Sequence, residues 1–97
     1  MNSETALCLL SERLPDYRQR FDVRELAIFG SLARDEWRAD SDVDVLVEFE
    51  HRPTFDGYMD LKLELEELFG RRVDLVIASD LRPAFRPQVE REALHVP

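Results

Sequence analysis

The stretch LAIFGSLARDEWRADSDVDVLVEF, Leu26 to Phe49, decides how this chain is read. Two apolar runs flank a Gly-Ser pair and an Asp-Val-Asp. The first run, Glu25 to Phe29, is short and ends in Gly30, which suits a buried strand. The second, Val43 to Phe49, alternates: Val43, Val45, Val47 and Phe49 point one way, and Asp42, Asp44, Leu46 and Glu48 the other. Two carboxylates therefore share a face at the mouth of the most apolar segment. Bare charge is costly to bury, so they must be paired with cations or act as ligands.

Between the runs, Ser31 to Trp37 is expected to form a short helix with Ser31 near its N-cap, and Arg38 to Ser41 a turn. Upstream, Leu7, Leu10, Leu14, Tyr17 and Phe21 recur at spacings of three and four, one face of an amphipathic helix. Asn2 or Ser3 suits its cap, and Pro15 predicts a kink or break, because it removes a hydrogen bond and crowds the preceding turn. Downstream, HRPTFDG reads as a loop. Asp60 to Phe69 reads as a helix with Leu61, Leu65, Leu68 and Phe69 on one stripe and Gly70 as its stop. Arg72 to Ala78 is a further strand, with Val73, Leu75 and Ile77 opposite Asp74, Val76 and Ala78. A short final helix is expected over Pro87 to Ala93. The order α-β-α-β-α-β-α implies an α/β domain, residues 1–97, with a sheet of about three or four strands covered by helices.

Composition narrows the function. Ninety-seven residues, 44% hydrophobic and 35% charged, suit one small globular domain. No apolar run approaches the roughly 18 residues of a spanning helix, and the N-terminus lacks the pattern of a signal peptide. The lone Cys8 cannot form an internal disulfide, which fits a reducing compartment, and a cytoplasmic location is expected. The formal net charge of −8 gives no general pull toward phosphate backbones, so direct nucleic-acid binding is not expected. An acidic protein that handles a nucleotide needs metal ions to bridge the repulsion.

The strand patterns supply such a site. If the strands of Asp44 and Asp74 pair with their apolar faces aligned, Asp42, Asp44 and Asp74 gather on one side. Clustered anions raise one another's pKa values, and hard divalent cations relieve them. Two such ions align attacking and leaving oxygens for in-line displacement at phosphorus. Gly30 permits a tight turn and close backbone approach, Ser31 and the following amides offer donors to a phosphate, and Arg34 adds a charge-assisted bond.

Gly30-Ser31, ten intervening residues, then Asp42-Val43-Asp44 resembles the G-S-x₁₀-D-x-D signature of the nucleotidyltransferase superfamily related to DNA polymerase β. Asp74 in VDLVI matches its third carboxylate. The chain, from roughly Leu7 to Val96, is similar to the minimal nucleotidyltransferases, in particular the MNT-domain antitoxins that pair with HEPN-domain ribonuclease toxins. The resemblance implies transfer of AMP from ATP to a hydroxyl, typically a tyrosine of the toxin, in a type VII toxin–antitoxin system. It implies Mg²⁺, two ions, held by Asp42, Asp44 and Asp74. Asp74 would also help deprotonate the acceptor, and Gly30, Ser31 and Arg34 would bind the nucleotide. A HEPN toxin partner implies a hetero-oligomer. Relatives often carry Gly where this chain has Asp35, a departure near the phosphate turn. The alternatives are an antitoxin that masks its toxin by contact alone, and transfer to a small-molecule hydroxyl.

The remaining polar and aromatic residues carry no catalytic assignment. His51 and His95 lack ligand spacing and read as surface or partner-facing, Cys8 is expected to pack beside the helical stripe, and Glu64, Glu66 and Glu67 form a solvated face. Trp37, a large aromatic in a polar stretch, is either a lid or a partner contact.

Overall fold

The computed structural model describes residues 1–97. Its elements are α1 (Ser3–Phe21), β1 (Val23–Phe29), α2 (Gly30–Ala33), β2 (Val43–Phe49), α3 (Phe55–Phe69), β3 (Val73–Ile77), a 3₁₀ turn at Ala78–Asp80, α4 (Arg86–Glu92) and β4 (Leu94–His95). The four strands form one mixed sheet in the order β3-β2-β1-β4. β1 runs antiparallel to both β2 and β4, and β2 runs parallel to β3 with α3 as the crossover.

The alternation in β2 does what its pattern predicts. Val43, Val45 and Val47 are fully buried, together with Leu26 and Ile28 of β1 and Val73 and Leu75 of β3. This face meets Leu10, Leu14 and Tyr17 of α1 and Leu61, Leu65 and Phe69 of α3 in one hydrophobic cluster. Each fully buried leucine there contributes about 1.5–3 kcal/mol through removal of apolar surface from water. The opposite face carries Asp44, Leu46 and Glu48 on β2 and Asp74 and Val76 on β3, and α4 flanks part of it.

Three expected boundaries are corrected. α1 does not break at Pro15 but continues through it to Phe21. Proline forfeits one backbone bond there, and burial of Leu14 and Tyr17 on either side holds the helix against that loss. Asn2 caps the start by accepting the Thr5 N–H at 2.8 Å, and Asp22, in the left-handed conformation, ends it. α3 begins at Phe55 rather than Asp60, because the Thr54 hydroxyl accepts the Gly57 N–H at 3.0 Å and starts the helix inside the expected loop. α2 is a single turn, ending at Ala33 instead of Trp37, and the chain turns at Asp35 with φ +57°. β4, a two-residue strand beside Ala27 and Ile28, is too short to leave an alternation signal.

Cys8 is exposed rather than packed. Trp37 is tied into the fold. It is half-buried against the core, with the Arg71 guanidinium 5.2 Å above its ring and its indole N–H buried without an acceptor. Glu64 and Glu66 are engaged rather than merely solvated: Glu64 pairs with Arg20, and Glu66 accepts from Lys62 and from the Val73 N–H at the start of β3. No helix is long and apolar enough to cross a membrane.

Candidate active site

The C-terminal end of β1 and the N-terminal ends of β2 and β3 meet at one end of the sheet. Asp44 and Asp74 are direct register partners across the parallel β2–β3 pair, so their side chains leave the same face from neighbouring strands. On its other side Asp44 faces Phe29, the last residue of β1. Asp42 lies one residue before β2 and is exposed. The backbone there is pinned by the Val43 N–H, which donates to the Arg72 carbonyl at 3.0 Å.

Gly30 closes the site from the β1 side. Its φ is +69°, and a Cβ built on it falls 2.2 Å from Asp44 Oδ2. Both its conformation and the space it leaves therefore demand glycine. The chain enters α2 here, and fully buried Leu32 anchors that turn to the core. Ser31 sits in the first turn, partly buried, and its hydroxyl has no partner within the chain.

None of the three carboxylates is paired with a cation. Ion pairs of Asp74 with Arg71 or Arg72 are absent, and the nine salt bridges of the molecule all involve other acids. The consequence falls on Asp44, whose carboxyl is pushed up to about 6, first by burial and then by the charges of Asp74 and Asp42, with Arg34 pulling weakly the other way. A half-buried carboxylate with two like-charged neighbours and no counter-ion has the donor chemistry of a hard-cation site. No three acids stand close enough to enclose one ion by themselves. That suits Mg²⁺, which takes one or two carboxylates and completes its shell with phosphate oxygens and water.

Arg34 is more constrained than its sequence position suggested. Its Nε donates to Glu36 at 3.1 Å and its Nη1 to Glu92 of α4 at 3.2 Å. The Glu36 pair is legible two residues away, whereas Glu92, 58 residues on, leaves no local signal. Two further contacts were not foreseen. Asp35 accepts from the Ser3 N–H at 2.8 Å and the Ser3 hydroxyl at 3.0 Å, tying the site's turn to the start of α1. The Tyr58 hydroxyl donates to the Leu75 carbonyl, beside Asp74. Asp42, Asp44 and Asp74 line none of the surface hollows. A neighbouring one of about 500 Å³, lined by Phe55, Tyr58, Leu75 and Val76, starts at the residue next to Asp74 on β3. The carboxylates thus stand on an open surface.

A mixed sheet presenting two register-matched carboxylates beside a Gly-Ser turn is the frame of a nucleotidyltransferase, and the chain belongs to that family: the nucleotidyltransferase domain model matches residues 8–96. A protein named protein adenylyltransferase MntA, from Thermococcus cleftensis, is 43% identical over 88 residues, covering 91% of this chain and 89% of that relative. A solved structure described as a minimal nucleotidyltransferase superposes with a TM-score of 0.80 at 44% identity, over 97% of this chain and 95% of the other. The same fold recurs, at 17% identity and a TM-score of 0.68, in a Shewanella oneidensis complex of a tri-AMPylated HEPN toxin with its MNT antitoxin, covering 94% of this chain and 71% of that one.

Proposed function

We propose that this enzyme transfers AMP from ATP, with Mg²⁺, to a hydroxyl of a HEPN-domain toxin, and that it serves as the antitoxin of a type VII pair. The observation that carries the chemistry is the register pairing of Asp44 with Asp74, uncompensated by any cation and touched by Gly30. Asp42, Asp44 and Asp74 would share two Mg²⁺ ions between them, each ion taking one or two of the carboxylates and completing its shell with phosphate oxygens and water. Those ions supply charge neutralisation and alignment of the entering and leaving oxygens.

The protein's own groups do the rest. The α2 amides and the Ser31 hydroxyl, unpartnered within the chain, bind the triphosphate oxygens, and Arg34 adds charge. Asp74 accepts the proton of the acceptor hydroxyl as its oxygen closes on the α-phosphorus. That O–P bond forms while the bond to the β-phosphate oxygen breaks, and pyrophosphate leaves with the electron pair.

Protein as acceptor rests on the openness of the site. Small-molecule sites are enclosed and mostly apolar. Here the carboxylates lie on an exposed sheet end, so the acceptor must bring much of its own cover. A protein tyrosine does so, and the partner then makes the working unit a hetero-oligomer. The relative named MntA supports transfer to protein, and the toxin–antitoxin complexes of like fold support the HEPN partner.

Intact-mass spectrometry of the HEPN partner, after incubation with this protein, Mg²⁺ and each nucleoside triphosphate in turn, tests the reading. The expected result is added nucleoside monophosphate from ATP, lost with the double change Asp42→Ala and Asp44→Ala. Neutralisation of the toxin by that variant, with no mass change, would replace transfer by masking.

A further inference from the structure

Arg34 is gripped from two sides. Glu36 takes Nε and Glu92 takes Nη1, which leaves Nη2 without a partner. A guanidinium is a planar fork, so fixing two of its nitrogens fixes the direction of the third. An unrestrained arginine gives up considerable rotamer freedom whenever it binds an anion, and a pre-held one gives up less. Of the two acids, Glu92 is the better anchor. Its side chain is 27% exposed against 65% for Glu36, so water screens its charge less. It is also borne on a separate helix, α4, which packs against α2. Arg34 itself closes α2, its backbone N–H donating to the Gly30 carbonyl at 3.2 Å, which roots its side chain one turn from the Gly30–Ser31 pair.

We infer that Glu92 is a positioning residue for nucleotide binding: by tethering Nη1 it directs the free Nη2 of Arg34 toward the triphosphate at the Gly30–Ser31 turn. The inference rests on the proposed role of Arg34 at the nucleotide. It makes the last helix of the chain part of the site.

Calorimetric titration of the free protein with Mg²⁺ and an ATP analogue carrying a non-cleavable α–β bridge separates the two. Glu92→Gln is expected to weaken binding about threefold to fivefold, the range of a partly screened ion pair. Glu92→Asp should recover part of the loss. Arg34→Gln should weaken binding more, and adding Glu92→Gln to it should cost nothing further. Wild-type or tighter binding by Glu92→Gln, beside a weakened Arg34→Gln, overturns the inference and leaves the role of Arg34 standing. Unchanged binding by Arg34→Gln removes that role and the inference with it. A Glu92 effect that persists in full on the Arg34→Gln background shows an anchor for α4 alone, and equally overturns it.

Discussion

Replacing Gly30 with alanine tests the site and the fold in one step. Holding a residue with a Cβ at φ +69° costs about 1–2 kcal/mol. The added carbon also arrives 2.2 Å from Asp44 Oδ2 and 3.1 Å from its Cγ, so the carboxylate must swing out of register with Asp74. The backbone cost alone lowers the thermal midpoint of a domain this small by about 4–16 °C. If Asp44 holds metal as proposed, misplacing its carboxylate by an ångström or more costs roughly 100-fold in transfer rate. The assay pairs calorimetric melting with the mass-based transfer measurement. A Gly30→Ala/Asp44→Ala double variant isolates the collision, because removing the carboxylate relieves it. Gly30→Ala should then cost less on the Asp44→Ala background than in the wild type. A Gly30→Ala protein with the wild-type rate and midpoint, or the same cost on both backgrounds, would refute the reasoning.

Three other outcomes follow from named contacts. The Asp44 carboxyl sits at about 6, above its ordinary 3.8, so the folded state holds a proton the unfolded chain has released; this group's contribution to stability falls as pH rises from about 4 to 6 and stays low above that. Asp44→Asn should therefore flatten that decline and stabilise the free protein at pH 7 by about 1 kcal/mol, allowing for solvent screening at a half-buried group, while abolishing transfer; denaturant titrations across pH check this. Asp35→Ala loses both bonds to Ser3 and keeps φ +57°, and should cost about 1–2 kcal/mol, whereas Asp35→Gly recovers about 1 kcal/mol of it by relieving the backbone; thermal melts rank the two. Pro15→Ala restores a helix bond at an exposed position and should raise stability by about 2 kcal/mol, visible as a higher midpoint.

The placement of Asp44 beside Asp74 was legible because strand alternation is strict. Once Val43, Val45 and Val47 face inward, Asp44 must face out. The same rule on Val73, Leu75 and Ile77 puts Asp74 beside it. Helix ends were less legible, since they turn on competing local forces. Thr54 pulled α3 into a stretch that Pro53 and Gly57 mark as loop, and apolar burial carried α1 through Pro15. Asp35 proves to be left-handed, a conformation that favours glycine, and it holds it with its side chain engaged by Ser3. Least visible were pairs distant along the chain. Arg34 with Glu92, and Tyr58 with Leu75, depend on how α4 and α3 come to lie, which no periodicity encodes.

The order β3-β2-β1-β4 leaves this small sheet with two open margins, and both are poor templates for a second chain. β4 offers only two residues, and β3 five. Short edges and charged side chains on them discourage chain-to-chain strand addition. On β3 the charge is Asp74 itself, and one backbone carbonyl, that of Leu75, is already taken by Tyr58. The carboxylate assigned to catalysis therefore also guards solubility, so an apolar replacement at Asp74 is expected to promote self-association as well as loss of transfer.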